Sequence, residues 1–271
     1  MDKPLMLAEI PSFICSDGQL DLPAVAAAVR RLIQAGYDAL LVAGPAGEYA
    51  SLTLLEQERL IACALEAAQG QARIFAGALE AGTDKAALRI AEHASLGCHG
   101  HVCLPAHYFT FRNSGELLTH FRALAEVDGG IVVLDSPQHV GYALPEDVRM
   151  QLLDLPGVEG VVALRSLQPG WEGEPETALI RPGDGRISRT AFLFPYLCRC
   201  ARLSDAVRYT LQRLLTVHAH PAAVIKHAAQ YLHLCRSGCV LPPSLGLSER
   251  NKRDVETYCT LLAQEERLLH E

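Results

Sequence analysis

The stretch Ala39-Leu40-Leu41-Val42-Ala43-Gly44-Pro45-Ala46-Gly47-Glu48 runs from five apolar residues into a turn of glycine and proline, and Thr53-Leu54-Leu55-Glu56 then opens a helix-like segment that ends near Gly70. The apolar run has no polar face, as expected of a parallel strand covered by helices on both sides. Thr53 with Glu56 three residues on is a capping box. The same succession recurs outward in both directions, with strand-like runs at 5–10, 73–78, 100–104, 131–134 and 158–164 and helical stretches at 22–36, 83–96, 114–127 and 145–153. Asp21 before Leu22-Pro23 caps the first helix, Gly97 stops the third, and Asp128-Gly129-Gly130 stops the fourth. Strand then helix, repeated about six times, predicts an α/β fold with a parallel sheet. Closed as a (β/α)8 TIM barrel it needs about 200–250 residues, which the 271 present accommodate.

Past residue 164 the regularity fails. Residues 165–184 are rich in Gly, Pro and Glu, with only 177–180 strand-like, and 185–190 reads as one more short strand. From 192 onward the pattern is helical, at 192–201, 204–218, 222–237 and 248–269. The expected organisation is a barrel over 1–190, and a final barrel helix with a C-terminal helical extension over 191–271. No linker separates the two, so they are expected to form one structural unit.

Composition narrows the function classes. Apolar residues make up 49% of the chain, too many for disorder. The net charge of −7, without a basic stripe, argues against nucleic acid as a partner. No apolar run reaches the roughly 18–20 residues of a membrane span, and Met1-Asp2-Lys3-Pro4-Leu5 does not read as a secretory signal. The nine cysteines include Cys198-x-Cys200 and Cys235-x3-Cys239 but no C-x2-C pair. They read as reduced, buried thiols of a cytoplasmic protein, with neither disulfides nor structural zinc expected.

A set of glycines, prolines and acidic residues falls in a recognisable order: Pro11, Phe13, Asp17-Gly18 and Asp21; Gly44-x-x-Gly47-Glu48, Leu52 and Glu58-Arg59; Pro105, Pro137 and Gly141; Gly160; and Gly185-x-Ile187-Ser188. This pattern resembles the dihydrodipicolinate synthase / N-acetylneuraminate lyase family of class I aldolases. The likeness runs from about residue 7 to 162, resumes at Gly185 and continues more weakly through 221–226 to the C-terminus. It implies a (β/α)8 barrel with a C-terminal helical extension, assembled as a homo-oligomer (dimer or tetramer). It also implies 2-oxo acid chemistry through a Schiff base on a lysine of the sixth strand. In the family a tyrosine shuttles protons, and a threonine-bearing loop holds the carboxylate.

Residue by residue, the reacting set is replaced. Where the family's loop reads Gly-Thr-Thr-Gly-Glu, this chain has Gly44-Pro45-Ala46-Gly47-Glu48, without either hydroxyl. The tyrosine after the fifth strand is Leu134, the arginine nearby is His139, and the tyrosine of the Pro-Tyr-Tyr motif is His107. At the lysine position, in Gly160-Val161-Val162, stands Val162. The chain has four lysines in all: Lys3, Lys85, Lys226 and Lys252. None is expected to replace a strand-six amine, and Arg165 stays protonated and so cannot act as a nucleophile. Between Val162 and Gly185 lies about half of the roughly 45 residues that a strand, helix, strand and helix require. The barrel is therefore expected to be incomplete around strands six to eight.

The expectation is a degenerate family member without Schiff-base activity, serving a binding, scaffolding or regulatory role, with no cofactor and with a 2-oxo acid as the candidate ligand. The pocket residues would be Gly44, Ala46, Gly47, Tyr108 and Arg165. The alternative is a lyase acting on a 2-oxo acid through His107, Asp135 and His139, by His/Asp or metal-assisted chemistry at the C-terminal face. His99, His101 and Cys103 alternate on the fourth strand and read as structural rather than metal-binding. Glu48 reads as a brace for its loop.

Overall fold

A computed structural model describes residues 6–108, 113–163, 186–200, 203–217 and 220–270. The expected strand at 177–180, the gap preceding Gly185, Lys3 and the pocket candidate Arg165 lie outside the described residues. Seven strands, β1 (Met6–Glu9), β2 (Ala39–Val42), β3 (Arg73–Ala78), β4 (Gly100–Cys103), β5 (Ile131–Asp135), β6 (Val158–Ala163) and β7 (Arg186–Ser188), form one sheet in the order β6-β5-β4-β3-β2-β1-β7. Every pairing is parallel, and the sheet curls into a nearly closed barrel whose edges are β6 and β7. The strand expected within 185–190 is β7, and its register on β1 pairs Leu7 with Ile187.

Helices α1 (Leu22–Gln34), α2 (Leu54–Ala68), α3 (Thr83–Leu96) and α4 (Ser114–Val127) cover the first strands. Both anticipated caps form. The Asp21 side chain accepts from the Ala24 N–H at 3.2 Å, and Thr53 and Glu56 exchange their capping-box bonds. A single turn, α5 (Pro137–Val140), was not legible in the sequence. Pro137 starts it, and Gly141, at φ 84°, ends it. Then follow α6 (Glu146–Leu153), α7 (Asp205–Leu215), α8 (Pro221–Tyr231) and α9 (Glu249–His270).

The helix expected over 192–201 does not form. Among the described residues there, only one 3-10 turn, Leu197–Arg199, appears, because Pro195 can neither donate to a helix nor leave room for the carbonyl four residues back. The segment instead buries Phe192 and Phe194, Phe192 meeting Phe13 edge-on at 5.7 Å. It is tied to α1 by Arg31 Nε donating to Phe192 O at 3.1 Å, and to α9 by the Glu266 carboxylate accepting the Tyr196 and Leu197 N–H groups at 2.9 and 2.7 Å. Val255, Cys259 and Leu262 of α9 and Ala223 to Ile225 of α8 share one apolar cluster with α1 and α2.

The strands sort their side chains by parity. Leu7, Leu41, Phe75, Val102, Leu104, Val132, Leu134, Val162 and Ile187 fill the inside of the barrel, so all seven strands contribute. Ile131, Val133, Val161 and Cys103 face the helices instead. The expectation that every strand is apolar on both faces needs correction at Glu9, His101 and Ser188, all buried.

Candidate functional site at the barrel mouth

Barrel enzymes carry their chemistry at the C-terminal ends of the strands, and the residues there come from several strands and from α8. Leu134 and Val162 are side by side in the register of β5 on β6. Both are buried in the hydrocarbon that fills the barrel. Neither has a group that titrates or reacts.

The loop after β2 is built with unusual backbone. Ala43 and Glu48 adopt left-handed φ angles of 48° and 57°, and between them Gly44 O accepts from the Gly47 N–H at 3.1 Å and the Tyr49 N–H at 3.3 Å. Ser12 Oγ donates to Gly47 O at 2.6 Å from the loop after β1. Glu48 braces this loop as expected: one carboxylate oxygen accepts from the Leu241 N–H at 2.8 Å, and the other pairs with the ammonium of Lys226. Lys226 is buried on α8. Burial pushes its pKa below the ordinary lysine value, and the Glu48 carboxylate opposes that shift.

Glu9 was not singled out in the sequence and proves central to the loop. It is 1% exposed, and its Oε1 accepts from the Ala46 N–H at 2.7 Å and the Gly47 N–H at 3.1 Å. Its place two residues after Leu7, in an otherwise apolar strand, was the available signal: that parity turns a carboxylate inward.

Of the alternative catalytic residues, His107 and His139 lie close enough for their charges to interact, while Asp135 makes bonds on the helix side of β5. Asp135 shares the outward parity of Ile131 and Val133, and its carboxylate accepts from Leu144 N–H at 3.0 Å and from Arg149 at 3.3 Å. His139 Nδ1 meets Ser136 Oγ at 2.6 Å rather than Asp135. His107 Nδ1 lies 3.3 Å from Pro105 O. Burial lowers the His139 pKa, and Arg189, His107 and His220 lower it further by repulsion. The mouth thus gathers the imidazoles of His107, His139 and His220 and the Arg189 cation from the segments after β4, β5 and β7 and from the start of α8, and His139 is a neutral imidazole near pH 7. Tyr108, at φ 74°, is 94% exposed.

The polar side chains at the fourth strand are engaged with neighbouring segments. His99 precedes β4 and accepts from the Ile74 N–H at 3.1 Å. His101 faces the helices, with Nε2 3.1 Å from Asp128. Among the described residues no group of three His, Cys, Asp or Glu side chains is placed to hold a metal ion.

Comparison with known proteins adds a family. The model of the dihydrodipicolinate synthetase family matches residues 5–166. A 4-hydroxy-tetrahydrodipicolinate synthase of Hyphomonas neptunium is 27% identical over 266 residues, covering 86% of this chain and 90% of that protein. Of solved structures, the chloride-inhibited dihydrodipicolinate synthase of Acinetobacter baumannii, complexed with pyruvate, superposes with a TM-score of 0.83 at 19% identity, covering 96% of this chain and 99% of that one. A catalytic lysine mutant of the Ruminococcus gnavus sialic acid aldolase gives a TM-score of 0.78 at 16% identity, with 97% of each chain covered.

Proposed function

This chain belongs to the dihydrodipicolinate synthetase family, and from that premise we propose that it is a member without Schiff-base aldolase activity, acting by binding, scaffolding or regulation. The observation that carries this is the Leu134–Val162 pair. The positions that the resemblance assigns to the proton-shuttling tyrosine and the condensing lysine are neighbours in register and hold hydrocarbon. The remaining amines offer no substitute among the described residues. Lys85 is exposed on α3, Lys252 pairs with Glu249 on α9, and Lys226 is bound to Glu48. Pro45 and Ala46 add no hydroxyl to the loop. The loss of several members of a reacting set is not made good by the rest.

The test is borohydride reduction in the presence of pyruvate, read by intact mass. The unmodified mass is the expected result, and a pyruvyl-lysine adduct overturns the reading. The chain is proposed to work as a homo-oligomer in the cytoplasm, where its nine free cysteines stay reduced; sedimentation velocity measures the assembly.

A second reading, a lyase using His107 and His139 on a 2-oxo acid, rests on the two imidazoles sharing the mouth. Asp135 is engaged with Leu144 and Arg149, which weakens it. A thermal shift with 2-oxo acids and metal analysis of chelator-free protein decide it: no shift and no metal end that reading.

A further inference from the structure

Two consecutive backbone N–H groups aimed at one point form an anion-holding nest. Those of Ala46 and Gly47 converge on a single oxygen, Glu9 Oε1. The nest is held in shape by its own backbone and its neighbours. The left-handed residues Ala43 and Glu48 bracket it, Ser12 holds Gly47 O, and Glu48 anchors its far end to Lys226 and Leu241. Gly44 is shaped to the carboxylate: a Cβ there would stand 2.4 Å from Glu9 Oε1 and 3.0 Å from its Cδ. A carboxylate buried on the inner face of a barrel is costly unless it is hydrogen-bonded, and the two amide bonds to Oε1 offset part of that cost, so the side chain and the nest stabilise each other.

We propose that Glu9 is the resident ligand of a carboxylate site formed by the Ala46 and Gly47 amides, that it excludes small free carboxylates from the barrel mouth, and that such a carboxylate takes its place when the side chain is removed. The inference deepens the reading of this chain as a member without aldolase activity and rests on it, because a mouth that held substrate could not keep this tenant.

The experiment compares the wild type and Glu9→Ala in sodium formate against sodium chloride of equal ionic strength, following Tm and the amide resonances of Ala46 and Gly47. The wild type is expected to be indifferent to formate. Glu9→Ala is expected to melt lower and to recover Tm with rising formate, as a ligand bound only by the folded state must produce. The same two amides should shift as it does so. A wild type that responds to formate as strongly as the variant, or a folded Glu9→Ala that does not respond, overturns the proposal.

If Glu9→Ala does not fold, the wild type alone decides. Its Ala46 and Gly47 amides should move together with the Glu9 carboxyl carbon as that group is protonated. A carboxyl that titrates while both amides stay still refutes the assignment. The borohydride adduct and the formate response are separate readouts, so failure of the functional reading and failure of the Glu9 assignment are told apart.

Discussion

His93 on α3 offers a perturbation whose size follows from the structure. Its ring is 0% exposed, stacks on His101 with centroids 6.2 Å apart, and has no hydrogen-bond partner at either nitrogen among the described residues. Burial first, then the neighbouring His101 and Arg89, push its pKa down to about 3 from 6.5. The unfolded chain therefore takes up a proton near pH 6.5 that the folded chain refuses until about pH 3, so stability is complete above pH 6.5 and falls as the pH drops. Between pH 7.5 and 5.0 the folding constant should fall roughly 30-fold on this account, or about 2 kcal/mol.

His93→Leu, a change to an apolar side chain of similar size, removes that dependence. It also removes two buried polar atoms with no partner, so at pH 7.5 the variant should be about 1–3 kcal/mol more stable. Urea unfolding of both proteins at the two pH values makes the comparison. His101 and His120, which burial also lowers, remain in both proteins and largely cancel. Equal loss of stability on acidification in wild type and variant would refute the assignment of a neutral, buried His93.

Other consequences are as direct. Lys226→Met leaves the Glu48 carboxylate buried without its cation and should cost about 3–5 kcal/mol, much of it regained in the double variant with Glu48→Gln; urea midpoints at neutral pH measure both. Thr53→Ala removes the capping box of α2 and should cost about 1 kcal/mol, seen as a lower midpoint with an unchanged slope. Gly77→Ala places a Cβ 2.1 Å from the Ala43 carbonyl oxygen, a backbone atom that cannot swing aside. It should destabilise by more than about 3 kcal/mol or leave the protein insoluble, as judged by soluble yield and Tm.

Much of the fold was legible because its signals are local. Asp21, the Thr53–Glu56 box and the stop at Gly97 each depend on a few adjacent residues, and each appears where expected. The tail was less legible. Pro195 breaks the helical pattern of 192–201, and α8 ends at Tyr231 before His233 turns left-handed at φ 58°. At the site, the replaced positions could be read directly, while their surroundings could not. His139 sat near Asp135 along the chain, yet strand parity turns Asp135 toward the helices and leaves His139 to Ser136.

What the sequence determined alone was the barrel, its order of strands and capped helices, and the presence of hydrocarbon where the resemblance expects an amine and a phenol. Those are properties of short segments, set by the 2.0 and 3.6 residue periods and by which atoms each side chain carries. What only the tertiary structure decided was the company each side chain keeps: Glu9 beneath the Ala46 and Gly47 amides, Lys226 on Glu48 from the far end of the chain, and Leu134 against Val162. Those partners are separated by tens to hundreds of residues, and only closing the sheet brings them within hydrogen-bonding or van der Waals reach.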